Sequence, residues 1–181
     1  MEIWDIVDMN RENTGRTIER GRPLESGEFH TVIHVCIFNA EAKLLTQQRQ
    51  SYKKGWSNCW DVTTGGSALA GESSQEAAMR EVQEEIGYSL DLNGVAPNFT
   101  IRFARGFDDY YLLEAEVDLD SLVLQEEEVQ AVKWATMDEI LAHLRQGEFV
   151  TYTESFIRFL FDFHRYGGSV IEPSLSSDAD Q

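Results

Sequence analysis

Apolar and polar residues alternate in short bursts along most of the chain, and switch to a helical period in three places. Ile3, Trp4, Ile6 and Val7 form the first burst; Asn13, Thr14 and Gly15 make a turn-like cluster before Thr17 and Ile18, so Met1–Arg22 predicts a small N-terminal hairpin. The run FHTVIHVCIF over Phe29–Phe38 is β-branched and aromatic, and Asn39-Ala40 separates it from a second apolar stretch over Lys43–Arg49. Two strands joined by a turn follow from this pattern. Trp56–Thr64 reads as a further strand ended by Gly65-Gly66, with a loop beyond. Phe99–Phe103 and Tyr110–Val117 read as strands around a turn at Gly106–Asp109, and Val129–Trp134 as another.

Helical spacing begins at Ser73, which with Glu76 makes the S-x-x-E capping box; Ala77, Ala78 and Met79 are good helix formers, and Gly87 is a natural C-terminal stop. Met137–Arg145 puts Ile140, Leu141 and Leu144 on one face, and Thr153–Tyr166 predicts a Phe-rich helix. Strands before, between and after helices imply an α/β chain whose mixed sheet is covered on both faces. With 181 residues, one domain over 1–166 is expected, residues 1–22 being its hairpin extension. The segment 167–181 is rich in Ser, Gly and Asp with little to bury, and is expected to be a disordered acidic tail.

Charge changes the picture. Fifteen Lys and Arg stand against 32 Asp and Glu, a formal charge of -17 that repels long nucleic acid. A small anion can still bind if divalent cations first invert the local field. Cys36 and Cys59 are too few for a disulfide framework and lack zinc-ligand spacing, so both read as buried thiols. No apolar stretch approaches a membrane span, and the expected location is the cytoplasm.

At about 100° per residue, Ala78, Val82, Ile86 and Met79 fall on one stripe of the first helix, and Glu84, Glu81 and Glu85 crowd an arc on the other side. Like charges at these spacings destabilise a helix, and Arg80 is the only cation within it. A solvated acidic face is one reading of such a helix; a platform for magnesium, which prefers oxygen ligands, is the other.

The full string selects between them. Gly66, five residues, Glu72, seven residues and then Arg80-Glu81-Val82-Gln83-Glu84-Glu85-Ile86-Gly87-Tyr88 resembles the Nudix signature at each of its fixed residues, Tyr88 being a mild departure at the last aliphatic slot. The resemblance implies a Nudix fold, an α/β/α sandwich with a loop-helix-loop catalytic motif, and a pyrophosphohydrolase dependent on Mg2+ or Mn2+. It makes Glu81 and Glu85 the principal metal ligands, with Glu84 a further ligand or a base near the attacking water and Gly65 offering its carbonyl. Arg80 would orient a carboxylate, and Glu72 would brace the loop.

A general base outside the motif is common in this family, and Glu128, in the run Gln125–Glu128, is the candidate; a solvated charge run is the alternative reading. Arg49 and Lys53 or Lys54 are candidates for gripping phosphate, and Trp56 for lining a substrate pocket. The implied partner is a small-molecule diphosphate, with room left for a homodimer. The N-terminal half, with WDIVD, NRENTGR and ERG, resembles the subgroup that includes isopentenyl-diphosphate isomerase, but Gly65 stands where that enzyme has its cysteine and Ser67 where a histidine ligand would follow. Hydrolysis is therefore expected ahead of isomerase chemistry or a non-catalytic nucleotide-binding regulator.

Overall fold

A computed structural model describes residues 2–168; the expectation for the tail over 169–181 lies outside the described residues. Strands β1 (Ile3–Val7) and β2 (Asn13–Glu19) form an antiparallel hairpin. Its turn is at Asp8–Glu12 and not at Asn13–Gly15, which lies inside β2. The Asp8 carboxylate accepts from the backbone N–H groups of Asn10 (2.8 Å) and Glu12 (2.9 Å), and Arg11 takes a left-handed φ of 68°. An aspartate bonding its own following backbone is a stronger turn former than an Asn-Thr-Gly cluster in a paired strand. The hairpin is stitched to the body by reciprocal backbone bonds between Val7 and Phe29.

The main sheet has seven strands in mixed orientation. Strand β3 (His30–Phe38) is its centre: it pairs antiparallel with β4 (Leu44–Arg49) and β6 (Thr64–Ser67), and parallel with β8 (Gly106–Glu114). The short β5 (Trp60–Asp61) and β9 (Val129–Ala135) pair with β4, and β7 (Phe99–Phe103) is the far edge beside β8.

Two predicted boundaries move. The strand expected over Trp56–Thr64 is broken, because Trp56 and Asn58 have φ of 47° and 62°, which extended chain does not permit. Gly65-Gly66 then lies within β6, opposite His34 and Ile33, instead of ending a strand. Strand β8 starts at Gly106, four residues early, and the turn shifts to Ala104-Arg105. Its parallel register with β3 opens at His30–Gly106, where a side chain at 106 would meet the His30 carbonyl at 2.6 Å.

Helix α1 (Ser74–Ile86) covers one face, packing Ala77, Ala78, Val82 and Ile86 against Ile33, Val35, Leu45 and Tyr111. Helices α2 (Met137–Gln146) and α3 (Glu154–Tyr166) cover the other, over Cys36, Phe38, Leu44, Tyr110 and Leu112. The result is the expected α/β/α sandwich. Among the described residues no helix is long and apolar enough to cross a membrane.

Candidate active site

The capping box forms as predicted: the Ser73 hydroxyl accepts from the Glu76 N–H, the Glu76 carboxylate accepts from the Ser73 N–H, and Gly87 ends α1 at a φ of 67°. With both ends of α1 set and its apolar stripe docked, the three glutamates have fixed places. They are not equally solvated. The Glu84 side chain is half exposed, that of Glu81 is mostly covered, and Glu85 is only 5% exposed. Glu85 lies at the margin of the apolar stripe, so docking α1 carries it into the protein.

Two groups from the sheet meet Glu85 there. The Gln47 amide donates to it at 2.9 Å, and the Thr64 hydroxyl donates to the same oxygen. Burial pushes its carboxyl up to about 7, against the pull of Thr64 and Gln47 and with the help of Glu81. Burial also raises Glu81, with Arg80 opposing.

Arg80 answers the crowding expected from the helical wheel. Its Nε and Nη2 donate to the two Glu72 oxygens at 2.7 and 3.0 Å, and Nη1 donates to Glu81 and Glu84, each at 3.0 Å. One planar fork thus holds three carboxylates where one was expected. Burial works against the guanidinium charge, but the bonds to Glu72 and the field of Glu81 hold its pKa above the ordinary value. Glu72 also accepts from the Leu69 N–H at 2.8 Å, which ties the loop as anticipated.

Gly66 faces this cluster at close range. A Cβ there would lie 2.1 Å from Glu81 Oε1, so the carboxylate occupies the space that any other residue would need. Gly65 points the opposite way, and a Cβ there would meet the His34 ring at 2.7 Å.

A cavity of about 300 Å³ opens over α1, lined by Gly65, Gly66, Glu81, Glu84, Glu85 and Glu128, with Arg49 and Lys53 among its cations. Lys53 Nζ donates to Glu128 at 2.6 Å. Trp56 is not there; it lines an adjoining cavity on the other side of β6. Neither cysteine lines either cavity, Cys36 being fully buried and Cys59, expected buried, only partly so.

Gln47, Thr64 and Arg20 were not anticipated. Arg20 lines both cavities from the N-terminal hairpin, held at 2.7 Å by Glu2. Gln47 and Thr64 carry no local signal, because their role depends on β4 and β6 lying beneath α1.

The donors around Gly66 suit a hard divalent cation. They are oxygens throughout, Gly66 leaves room for Glu81, and Gln47 Oε1 is buried with no hydrogen-bond partner. The carboxylates here are turned to Arg80, Thr64 and Gln47, and among the described residues no three acidic or His/Cys side chains converge as a ready-made cluster.

Helix α1 carries its glutamates beneath a strand with two adjacent glycines, in an α/β/α sandwich. Residues 28–154 match the NUDIX domain, and the chain belongs to that family of hydrolases, whose members generally use divalent metal ions. It is 51% identical over 152 residues to an uncharacterized Nudix hydrolase of Listeria monocytogenes, covering 84% of this chain and 90% of that one. It is 32% identical over 142 residues to an isopentenyl-diphosphate Delta-isomerase of Pectobacterium atrosepticum, covering 75% and 76%. A Deinococcus radiodurans crystal structure shares the fold with a TM-score of 0.70 at 21% identity, covering 88% of this chain and 99% of that one.

Proposed function

We propose that the chain hydrolyses the diphosphate linkage of a nucleoside diphosphate derivative or a related small diphosphate, with magnesium, in the cytoplasm. The observation that carries the reading is a single cavity lined by Glu81, Glu84, Glu85 and Glu128 on one side and by Arg49 and Lys53 on the other. Glu81, Glu84, Glu85 and the Gly65 carbonyl would hold the metal. When bound, magnesium supplies the positive charge that neutralises the diphosphate and acidifies the attacking water; manganese would serve in the same way.

Arg80 is a positioning residue: its bonds to Glu72, Glu81 and Glu84 set the directions of the carboxylates. Arg49 and Lys53 bind phosphate oxygens. Glu128 takes the proton from the water, and the bond from the Lys53 ammonium holds Glu128 in place at the cavity until substrate competes for it. No covalent intermediate is required. Isomerase chemistry of the cysteine type has no thiol in either cavity to work with.

The test is Glu81→Gln, assayed for phosphate release from a panel of nucleoside diphosphate derivatives with magnesium and with chelator. Activity should fall by at least about 100-fold while the melting transition is kept, in line with the loss of a group that positions reacting atoms. Unchanged turnover would overturn the assignment.

A further inference from the structure

Strand β6 is a thin wall with a second cavity behind it, about 370 Å³ in volume, on the sheet face away from α1. The β-pairing sets its floor: Gly65, His34 and Tyr110 lie side by side across β6, β3 and β8, and Ser67, Val32 and Asp108 form the next row. Arg20, Arg49, Gly65 and Gly66 line both cavities, so the two adjoin along β6. Helix α1 and its carboxylates are on one side of the wall, and the proposed hydrolysis uses nothing that lies deeper on the other.

Three groups give the second cavity its chemistry. The Trp56 indole is 53% exposed, yet its Nε1 donates to Thr151 Oγ1 at 3.1 Å, so the ring is held open to a ligand. Asp61 is 8% exposed; its Oδ1 accepts from the Tyr152 hydroxyl at 3.0 Å and from the Val62 N–H at 2.8 Å. Its Oδ2 has no donor within hydrogen-bond distance among the described residues, Arg49 Nη1 being 3.9 Å away. Asp108, in contrast, is fully engaged by His34 Nδ1 at 2.6 Å and the Tyr110 hydroxyl at 3.1 Å.

Resting on the hydrolase reading above, we propose that this cavity receives an amino-bearing nucleobase, adenine or cytosine being the simplest, stacked on Trp56 with its exocyclic amine donating to Asp61 Oδ2. Burial raises the Asp61 carboxyl, with His34, the Val62 N–H, Arg49 and the Tyr152 hydroxyl opposing; as a carboxylate it only accepts, so the ligand must donate. An isoprenoid chain would strip water from Asp61 and return no hydrogen bond. A uracil edge offers only its N3–H, flanked by two carbonyl oxygens that would face the carboxylate. Stacking on an indole tolerates any base and supplies affinity, while the hydrogen bond supplies the choice. Arg49, on the shared boundary, would take the first phosphate as the chain of the ligand crosses from one cavity to the other.

The test is calorimetric binding to the full chain with magnesium, using the non-hydrolysable α,β-methylene diphosphates of adenosine, cytidine and uridine and the methylene analogue of dimethylallyl diphosphate. The adenosine and cytidine compounds should bind at least tenfold more tightly than the other two. Trp56→Ala should weaken all three nucleosides about tenfold. In Asp61→Asn, the Tyr152 hydroxyl and Val62 N–H keep the amide oxygen at the Oδ1 position, which puts an N–H₂ where Oδ2 was; preference should swing toward uridine. Equal affinity for adenosine and uridine, tightest binding of the isoprenoid analogue, no binding, or an unchanged preference in a folded Asp61→Asn overturns the proposal. Should that variant not fold, the wild-type ranking and Trp56→Ala decide. Binding does not require turnover, so failure here is distinct from failure of the Glu81→Gln test.

Discussion

The two sides of β6 handle buried polarity differently. On the α1 side the charges are satisfied within the protein: Arg80 ties three carboxylates, and Thr64 and Gln47 cover Glu85. On the other side two polar groups are pinned by one edge only, Asp61 through Oδ1 and Trp56 through Nε1, and the remaining edge faces space. The first arrangement sets a constellation that must not drift; the second sets a surface that something else completes. Between them runs a strand that contributes almost no side chain, which is why both can approach it.

The adjacent glycines allow that contrast to be broken one side at a time. Gly66→Ala collides with the end of a flexible carboxylate, which can swing away, so the fold should survive and the chemistry should not. A displacement of about 1 Å in a reacting group costs roughly 100-fold in rate, and kcat should fall by about that much with little change in melting temperature. Arg80→Lys comes next: a lysine keeps the charge but cannot fork among Glu72, Glu81 and Glu84. A loss of about 10- to 100-fold in turnover or metal affinity is expected, read from magnesium titrations of activity.

Gly65→Ala tests the other side. Its clash is with a ring stacked on Tyr110 at 4.8 Å and bonded to Asp108, which cannot easily yield. The cost should appear as stability, about 1–3 kcal/mol in a denaturant midpoint, the usual penalty of overpacking. If Gly66→Ala unfolds the chain and Gly65→Ala leaves its stability untouched, the contrast between the two sides is wrong. The smallest effect is expected from Thr151→Val, which frees the indole; one hydrogen bond is worth about 1 kcal/mol, so KM should rise roughly fivefold with kcat unchanged.

What could be read from the sequence divides by the range of the interaction. The α1 segment was legible nearly whole, because its cap, its apolar stripe and the Glu81, Glu84, Glu85 arc all repeat within a few residues. The strands β3, β4, β7 and β9 were legible from composition for the same reason. The start of β8 was not, since it depends on a parallel partner far earlier in the chain, nor was the placing of Gly65-Gly66 inside a strand. At the site, Glu81, Glu84 and Glu85 could be named, while Gln47, Thr64 and Arg20 could not. Each acts across elements that meet only in the folded sheet. Aromaticity marks Trp56 as a pocket residue, but its place behind β6, not beside the glutamates, is set only by the folded sheet.

The parallel pairing of β3 with β8 also has a kinetic meaning. It joins strands on either side of the whole segment carrying β4, β5, β6, α1 and β7, so the central ladder forms only when a long loop has closed. Contacts this distant in sequence slow folding, because loop entropy is lost before the pairing repays it. Helix α1, despite its strong local signals, is thereby committed to its final position late, and a nascent chain that ends before Gly106 cannot yet hold it against a finished sheet.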